Sequence, residues 1–189
     1  MISKGSIIET EIKNKIKELE QQHDVKLSTT QRIVLSTNGP LSTVFNALYG
    51  EVNLFMLTQT FKKSDKEIAE KVDINEGDEV HNREIIVHKH GHPLMYALSY
   101  IPKSRCSEAV IEDLIEEKLV LSRIIYRHEI ETFRKITNIS IEKPTPTLKE
   151  LFHTSEDMLT REYITKHNGE IFIWTKESYP LSYFTDKIR

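Results

Sequence analysis

The stretch Arg83–Pro102, REIIVHKHGHPLMYALSYIP, decides the fold. Two apolar-rich runs, Ile85 to Val87 and Leu94 to Ile101, flank a turn at His90-Gly91-His92. That pattern predicts a β-hairpin. The stretch recurs 78 residues later as Arg161–Pro180, REYITKHNGEIFIWTKESYP. Without gaps, Arg83 meets Arg161, Glu84 meets Glu162, Ile86 meets Ile164, Gly91 meets Gly169 and Pro102 meets Pro180. Tyr96 meets Trp174, and apolar positions largely meet apolar ones. Two copies of one hairpin unit suggest two halves of a single sheet rather than a solenoid.

The rest of the chain supports that frame. Ser6-Ile-Ile-Glu9 has capping-box spacing, and Ile8, Ile12, Ile16 and Leu19 follow at helical spacing, predicting a helix over residues 7–22. Ser28-Thr-Thr-Gln31 repeats the cap spacing and opens a helix through about Leu35. Asn38-Gly39-Pro40 stops it, and Ser42 or Thr43 can cap a short helix from Val44 to Tyr49. Glu51 to Phe61 is rich in β-formers with apolar residues on both faces, which predicts a strand covered on two sides. Lys62 to Gly77 reads as a charged connection with a helical turn, and Glu108 to Lys118 as a helix. Leu119 to Ile125 is an apolar segment, Tyr126 to Ile141 alternates as a strand, and Pro144 and Pro146 break it. Leu148 to Phe152 is a short helix or turn before the second hairpin. Hairpins with helices grouped between them give an α+β class with an antiparallel sheet. The expectation is one domain over residues 1–189, with residues 1–27 as an N-terminal helix that can lie outside the core.

Composition narrows the function. Of 189 residues, 38% are hydrophobic and 29% charged, enough for a buried core. A net charge of -3 argues against a nucleic-acid partner, which calls for a basic face. The single cysteine, Cys106, rules out an internal disulfide and fits a reducing, cytoplasmic setting. No run approaches the ~20 apolar residues of a membrane span, and the N-terminus lacks the pattern of a secretory signal. The six glycines form no phosphate-cradling loop, and no zinc-hydrolase or serine-hydrolase signature occurs.

Three groups of residues could carry chemistry. His88, His90 and His92 alternate around the hairpin tip, but Gly91 interrupts them and no carboxylate completes a ligand set, so a solvated turn is expected and no metal. Arg105 beside Cys106 could lower its pKa, yet no His or Asn partner is near, so an incidental thiol is expected. Arg83 and Arg161 each open a hairpin unit and could clamp a carboxylate, though an Arg there is also an ordinary surface charge. Glu177 lies in an otherwise apolar strand near Trp174, where the other copy has Ser99. It reads either as a buried functional carboxyl or, with Lys176, as the point where the strand meets water.

Four of these features, in order, resemble the chorismate lyase-like family (chorismate pyruvate-lyases), in particular its archaeal-type branch. They are Asn38-Gly39-Pro40-Leu41-Ser42-Thr43, then Arg83-Glu84 with Gly91, Pro93 and Ile101-Pro102, then Leu121-Ser122-Arg123-Ile124, then Gly169, Glu177 and Pro180. The match runs over roughly residues 28–182. Effector-binding domains of GntR-type regulators share that fold. The resemblance implies an antiparallel sheet with two flaps over a closed pocket and cofactor-independent cleavage of chorismate to 4-hydroxybenzoate and pyruvate. It implies that Arg83 and the backbone N–H groups at Leu41 and Leu121 hold the ring carboxylate, and that Glu177 faces the oxygen at the other end of the ring. The bacterial lyases of that family carry the glutamate at the position of Lys176, one residue earlier. Because a one-residue shift turns a side chain to the other face unless a bulge absorbs it, either Lys176 or Glu177 faces the pocket. The alternative reading is an effector-sensing module that binds a small aromatic acid without turnover. Fewer than 30 residues precede the match, too few for a winged-helix domain. A homodimer stays open.

Overall fold

A computed structural model describes residues 4–116 and 121–185. Three helices, α1 (Lys4–His23), α2 (Thr29–Ser36) and α3 (Leu41–Tyr49), precede β1 (Asn53–Lys63), α4 (Lys66–Val72) and the hairpin of β2 (Glu79–Lys89) and β3 (His92–Pro102). Then come α5 (Glu108–Glu116), α6 (Leu121–Arg127), β4 (Phe133–Glu142), α7 (Pro146–Phe152) and the hairpin of β5 (Met158–His167) and β6 (Glu170–Pro180). The strands form one antiparallel sheet in the order β1-β2-β3-β6-β5-β4. The two hairpins meet along β3 and β6, as two halves of a single sheet.

The duplication is wider than the hairpin. α3, β1, α4, β2 and β3 match α6, β4, α7, β5 and β6 in order. Each half carries the same irregularities: a bulge in the first strand after Met56 and after Ile136, and one in the last strand near Leu94 and near Phe172. α4 is N-capped by Asp65 and α7 by Thr145, and both end on a left-handed residue, Asp73 and His153. The hairpins turn on two residues with positive φ, His90-Gly91 and Asn168-Gly169. Primed turns need this geometry, and it matches the strand twist.

Both faces of the sheet are covered. On one, α1 buries Ile12, Ile16 and Leu19, and α2 and α3 bury Val34, Leu35 and Phe45, against Val87, Ile136, Ile139 and Leu159. Each such side chain contributes roughly 1.5–3 kcal/mol. α5 and α6 cover the other end of the same face through Val110, Leu114, Ile124 and Ile101. The opposite face carries α4 over Val80, Tyr100 and Trp174, and α7 over Met158 and Tyr96.

Several expectations need correction. Ser6 lies inside α1, whose start precedes it, so its cap spacing marks no terminus. α3 starts at Leu41 on Pro40 rather than on a Ser42 or Thr43 cap. The run from Tyr126 to Ile141 is not one strand: Tyr126 ends α6, and β4 begins at Phe133. β1 is an edge strand with Phe55 58% exposed, so its apolar residues on both faces do not mean cover on both sides. Glu117 and Lys118 of the expected helix lie outside the described residues. The Ser28–Gln31 capping box is present, with both reciprocal hydrogen bonds. No described helix is long and apolar enough to cross a membrane.

Candidate functional site

Arg83, Ser99, Thr175 and Tyr163 lie in one row across the sheet; Ile85, Ala97, Glu177 and Arg161 lie in the next. All eight side chains belong to the face under α2, α3 and α6. Arg83 is 1% exposed, Arg161 0% and Glu177 4%. Two interstrand steps and one two-residue step place the Cα atoms of Arg83 and Glu177 about 12 Å apart.

A cavity of about 80 Å³ lies over these rows, several times the ~10–15 Å³ a single water needs. The sheet forms its floor. The α2–α3 connection and the start of α3 close one side through Pro40, Leu41 and Ser42, and the start of α6 closes another through Leu121 and Ser122. Arg83, Glu177, Leu41 and Leu121, chosen from the sequence, all line it. Pro40 gives α3 no side-chain cap, so the N–H groups of Leu41 and Ser42 are available to an anion, while that of Thr43 bonds the Pro40 carbonyl.

The bulge near Phe172 lies between Gly169 and Glu177 and resets the alternation. Glu177 therefore faces the cavity. Lys176 is on the other face, hydrogen-bonded to Glu142 at 2.5 Å with Glu162 at 3.7 Å. Trp174 is also on that other face, stacked on Tyr100 at 5.4 Å, so it is no neighbour of the Glu177 carboxyl.

The two arginines have different surroundings. Arg161 Nε donates to Glu177 Oε2 at 2.5 Å, and its Nη1 donates to the carbonyls of Val34 at 2.7 Å and Thr37 at 2.6 Å, at the end of α2. Burial works to lower its pKa, but the adjacent Glu177 charge outweighs this and the net shift is upward. Arg83 faces Ser99 across the strand instead of a carboxylate, and the Ser99 hydroxyl bonds Thr175 Oγ1 at 3.0 Å. Burial pushes Arg83 down to about 10, still a cation at neutral pH. An anion beside it would reverse that shift.

Residues not singled out from the sequence complete the site. Tyr163 donates to Glu177 Oε1 at 3.1 Å, and burial raises its pKa. Arg134 stacks on the Tyr163 ring, 4.3 Å from its centroid, and donates to the Gly39 carbonyl at 2.9 Å. The signal for Tyr163 was its position two residues after Arg161. Arg134 sits in a strand of unremarkable charge and gave none.

The other candidates lie elsewhere. Cys106 does not line this cavity, and burial pushes it up to about 12, so it is a thiol. Among the described residues no three His, Cys, Asp or Glu side chains group to hold a metal. His81 is a further buried titratable group, 1% exposed, on the Arg83 strand face. Neither ring nitrogen has a hydrogen-bond partner among the described residues, and burial, then the Arg83 charge, lowers its pKa to about 4.

The sheet with its covered cavity defines a class. The chain is similar to the GntR-family transcriptional regulator of Bacillus cereus, with a TM-score of 0.58 at 17% identity over 68% of this chain and 90% of that one. It is similar to the C-terminal domain of the histidine utilization repressor of Pseudomonas syringae pv. tomato, with a TM-score of 0.56 at 12% identity over 69% and 92%. These likenesses show a shared chorismate lyase-like α+β fold.

The chain belongs to the chorismate pyruvate-lyase Rv2949c-like family, whose model matches residues 35–185. It is also 26% identical over 141 residues to "Putative lyase MJ0807" of Methanocaldococcus jannaschii, covering 71% of this chain and 68% of that one. α1 lies outside the family match but packs into the same core.

Proposed function

We propose that the protein is a cofactor-independent, cytoplasmic lyase that cleaves chorismate to 4-hydroxybenzoate and pyruvate within a single domain. The observation that carries this reading is the placement of Arg83 and Glu177 on adjacent rows of one cavity floor, beneath the starts of α3 and α6. Arg83 would take the ring carboxylate in a bidentate pair. First-turn N–H groups at Leu41 and Leu121 would add donors from the two covering segments. The Glu177 carboxylate then faces the hydroxyl-bearing end of the ring.

The chemistry needs little more. The ring carbon that bears the hydroxyl loses its proton, the ether bond to the neighbouring carbon breaks, and the electron pair completes the aromatic ring. The departing enolpyruvate takes a proton on its methylene carbon and becomes pyruvate. Aromatisation drives the step, so positioning does much of the work. Glu177 is the proton acceptor in reach, with Tyr163 and Arg161 holding its carboxylate in orientation.

Incubation with chorismate tests this: 4-hydroxybenzoate and pyruvate should appear in equal amounts above the spontaneous rate. Glu177→Gln should lower the turnover by ~10²–10⁴-fold, the usual share of a positioned acid–base group. No product above background at high protein concentration would sink the reading.

One observation favours a second reading. Glu177 is already engaged by Arg161 and Tyr163, which suits a rigid binding wall as well as a proton acceptor. On that reading the protein senses a small aromatic acid, and 4-hydroxybenzoate binds tightly without any lyase activity.

A further inference from the structure

Arg134 has no part in the reading above, yet it lines the cavity. We propose that Arg134 binds a second carboxylate of the ligand at the cavity mouth and thereby selects dianions over monoanions. This rests on the reading of Arg83 as the anchor for the first carboxylate.

Position is the first argument. Pro40, Ser122 and Arg134 line both the cavity and a shallow surface depression that also includes Asn38, Ile125 and Phe133. Arg134 thus stands where the cavity meets the surface. The duplication is the second. Arg134 is the counterpart of Leu54, 80 residues earlier, which lines the opposite wall of the same cavity. A leucine satisfies packing at this place in the fold, so packing does not call for the charge.

Charge is the third. The described walls carry two guanidiniums, Arg83 and Arg134, and one carboxylate, Glu177, which Arg161 matches at 2.5 Å. No carboxylate among the described residues pairs with Arg134, and chorismate carries a second carboxylate. Geometry is the fourth. Arg134 is fixed face-on to the Tyr163 ring at 4.3 Å, and its one hydrogen bond among the described residues runs from Nη1 to Gly39 O. The remaining donors of its planar fork can take a carboxylate in bidentate fashion.

Calorimetric titration of the full chain, with Glu177→Gln in the background wherever chorismate is the titrant so that it is bound and not cleaved, tests this with two dianions, chorismate and isophthalate, and two monoanions, 4-hydroxybenzoate and benzoate. Wild type should hold each dianion more tightly than its monoanion. Arg134→Leu should weaken the dianions by roughly 10- to 100-fold, the size of one charge-assisted contact, and leave the monoanions nearly unchanged. Arg134→Lys should keep part of the preference. If Arg134→Leu does not fold, Arg134→Gln, which can still donate to Gly39, is read in the same way.

An equal loss for dianions and monoanions would overturn the proposal, because Arg134 would then act only by holding Gly39 and Tyr163. Wild type showing no dianion preference would also overturn it. A preference for isophthalate over benzoate that depends on Arg134, with no binding of chorismate or 4-hydroxybenzoate, would uphold the second carboxylate site and sink the lyase reading alone.

Discussion

The two halves of the sheet share strand order, bulges, turn geometry and a buried arginine at the same place, yet they use that arginine differently. In the second half Arg161 is closed in by Glu177 and by the carbonyls that end α2. In the first half the position of Glu177 is held by Ser99, and the cavity lies over Arg83. Further paired positions divide the same way. Leu54, Ile85 and Ala97 of the first half face Arg134, Tyr163 and Thr175 of the second. One half gives the cavity an apolar wall and Arg83, and the other a polar wall on which Arg161 balances Glu177 while Arg134 keeps its charge. A duplicated frame has thus become one structural ion pair and one candidate binding site.

Removing each arginine in turn gives the largest contrast. Arg161→Met strands a buried carboxylate and two carbonyls, and should cost about 3–5 kcal/mol in urea unfolding. Arg83→Met should change unfolding less, because Ser99 stands opposite it and no buried carboxylate is stranded there. It should instead weaken 4-hydroxybenzoate binding by about 2–5 kcal/mol in calorimetry. Equal folding losses for the two variants would erase the distinction.

Making the halves alike is the next test. Ser99→Glu would place a carboxylate opposite Arg83, as Glu177 stands opposite Arg161. The fold should persist, while 4-hydroxybenzoate affinity should fall by ~100-fold, about 2.7 kcal/mol. Unchanged affinity would show that Arg83 is not the anchor.

His81 distinguishes the halves by pH, since Leu159 holds the matching place in the second. With a folded pKa near 4 against an ordinary 6.5, the unfolded chain takes up the proton first as pH falls. Its contribution is complete above about pH 6.5 and declines toward pH 4, at no more than about 1.4 kcal/mol per pH unit. His81→Leu should flatten that part of the acid unfolding curve. An unchanged slope would assign it to other groups.

The smallest effect should be the same in both halves. Gly91 and Gly169 have φ of +84 and +86 with open space where a Cβ would sit. Alanine at either should cost about 1 kcal/mol in thermal unfolding, from backbone strain alone. Unequal costs would mean that the hairpins differ as well.

Much of this was legible in the sequence, for physical reasons that can be traced. The Arg–Gly–Pro spacing of the hairpins survived duplication because a primed turn demands glycine, so the repeat and the antiparallel sheet could be read. The wider repeat could not. β1 and β4, or α4 and α7, keep few shared residues, and their equivalence lies in bulges and caps that many side chains satisfy. The face of Glu177 was undecided because a bulge has no signature of its own; only the pairing of Ile171 and Ile173 with β5 reveals it. Arg161 looked like the twin of Arg83 because the carboxylate that separates them lies sixteen residues away, on the neighbouring strand. Arg134 was silent because its meaning depends on Tyr163 and Gly39, brought to it only by folding.

The most direct test of the division between the halves is a crystal structure of the protein with 4-hydroxybenzoate. The account predicts the carboxylate in bidentate contact with Arg83, with the hydroxyl toward Glu177 and the Arg161–Glu177 pair intact. A ligand found outside this cavity, or bound in it with its carboxylate away from Arg83, would contradict it.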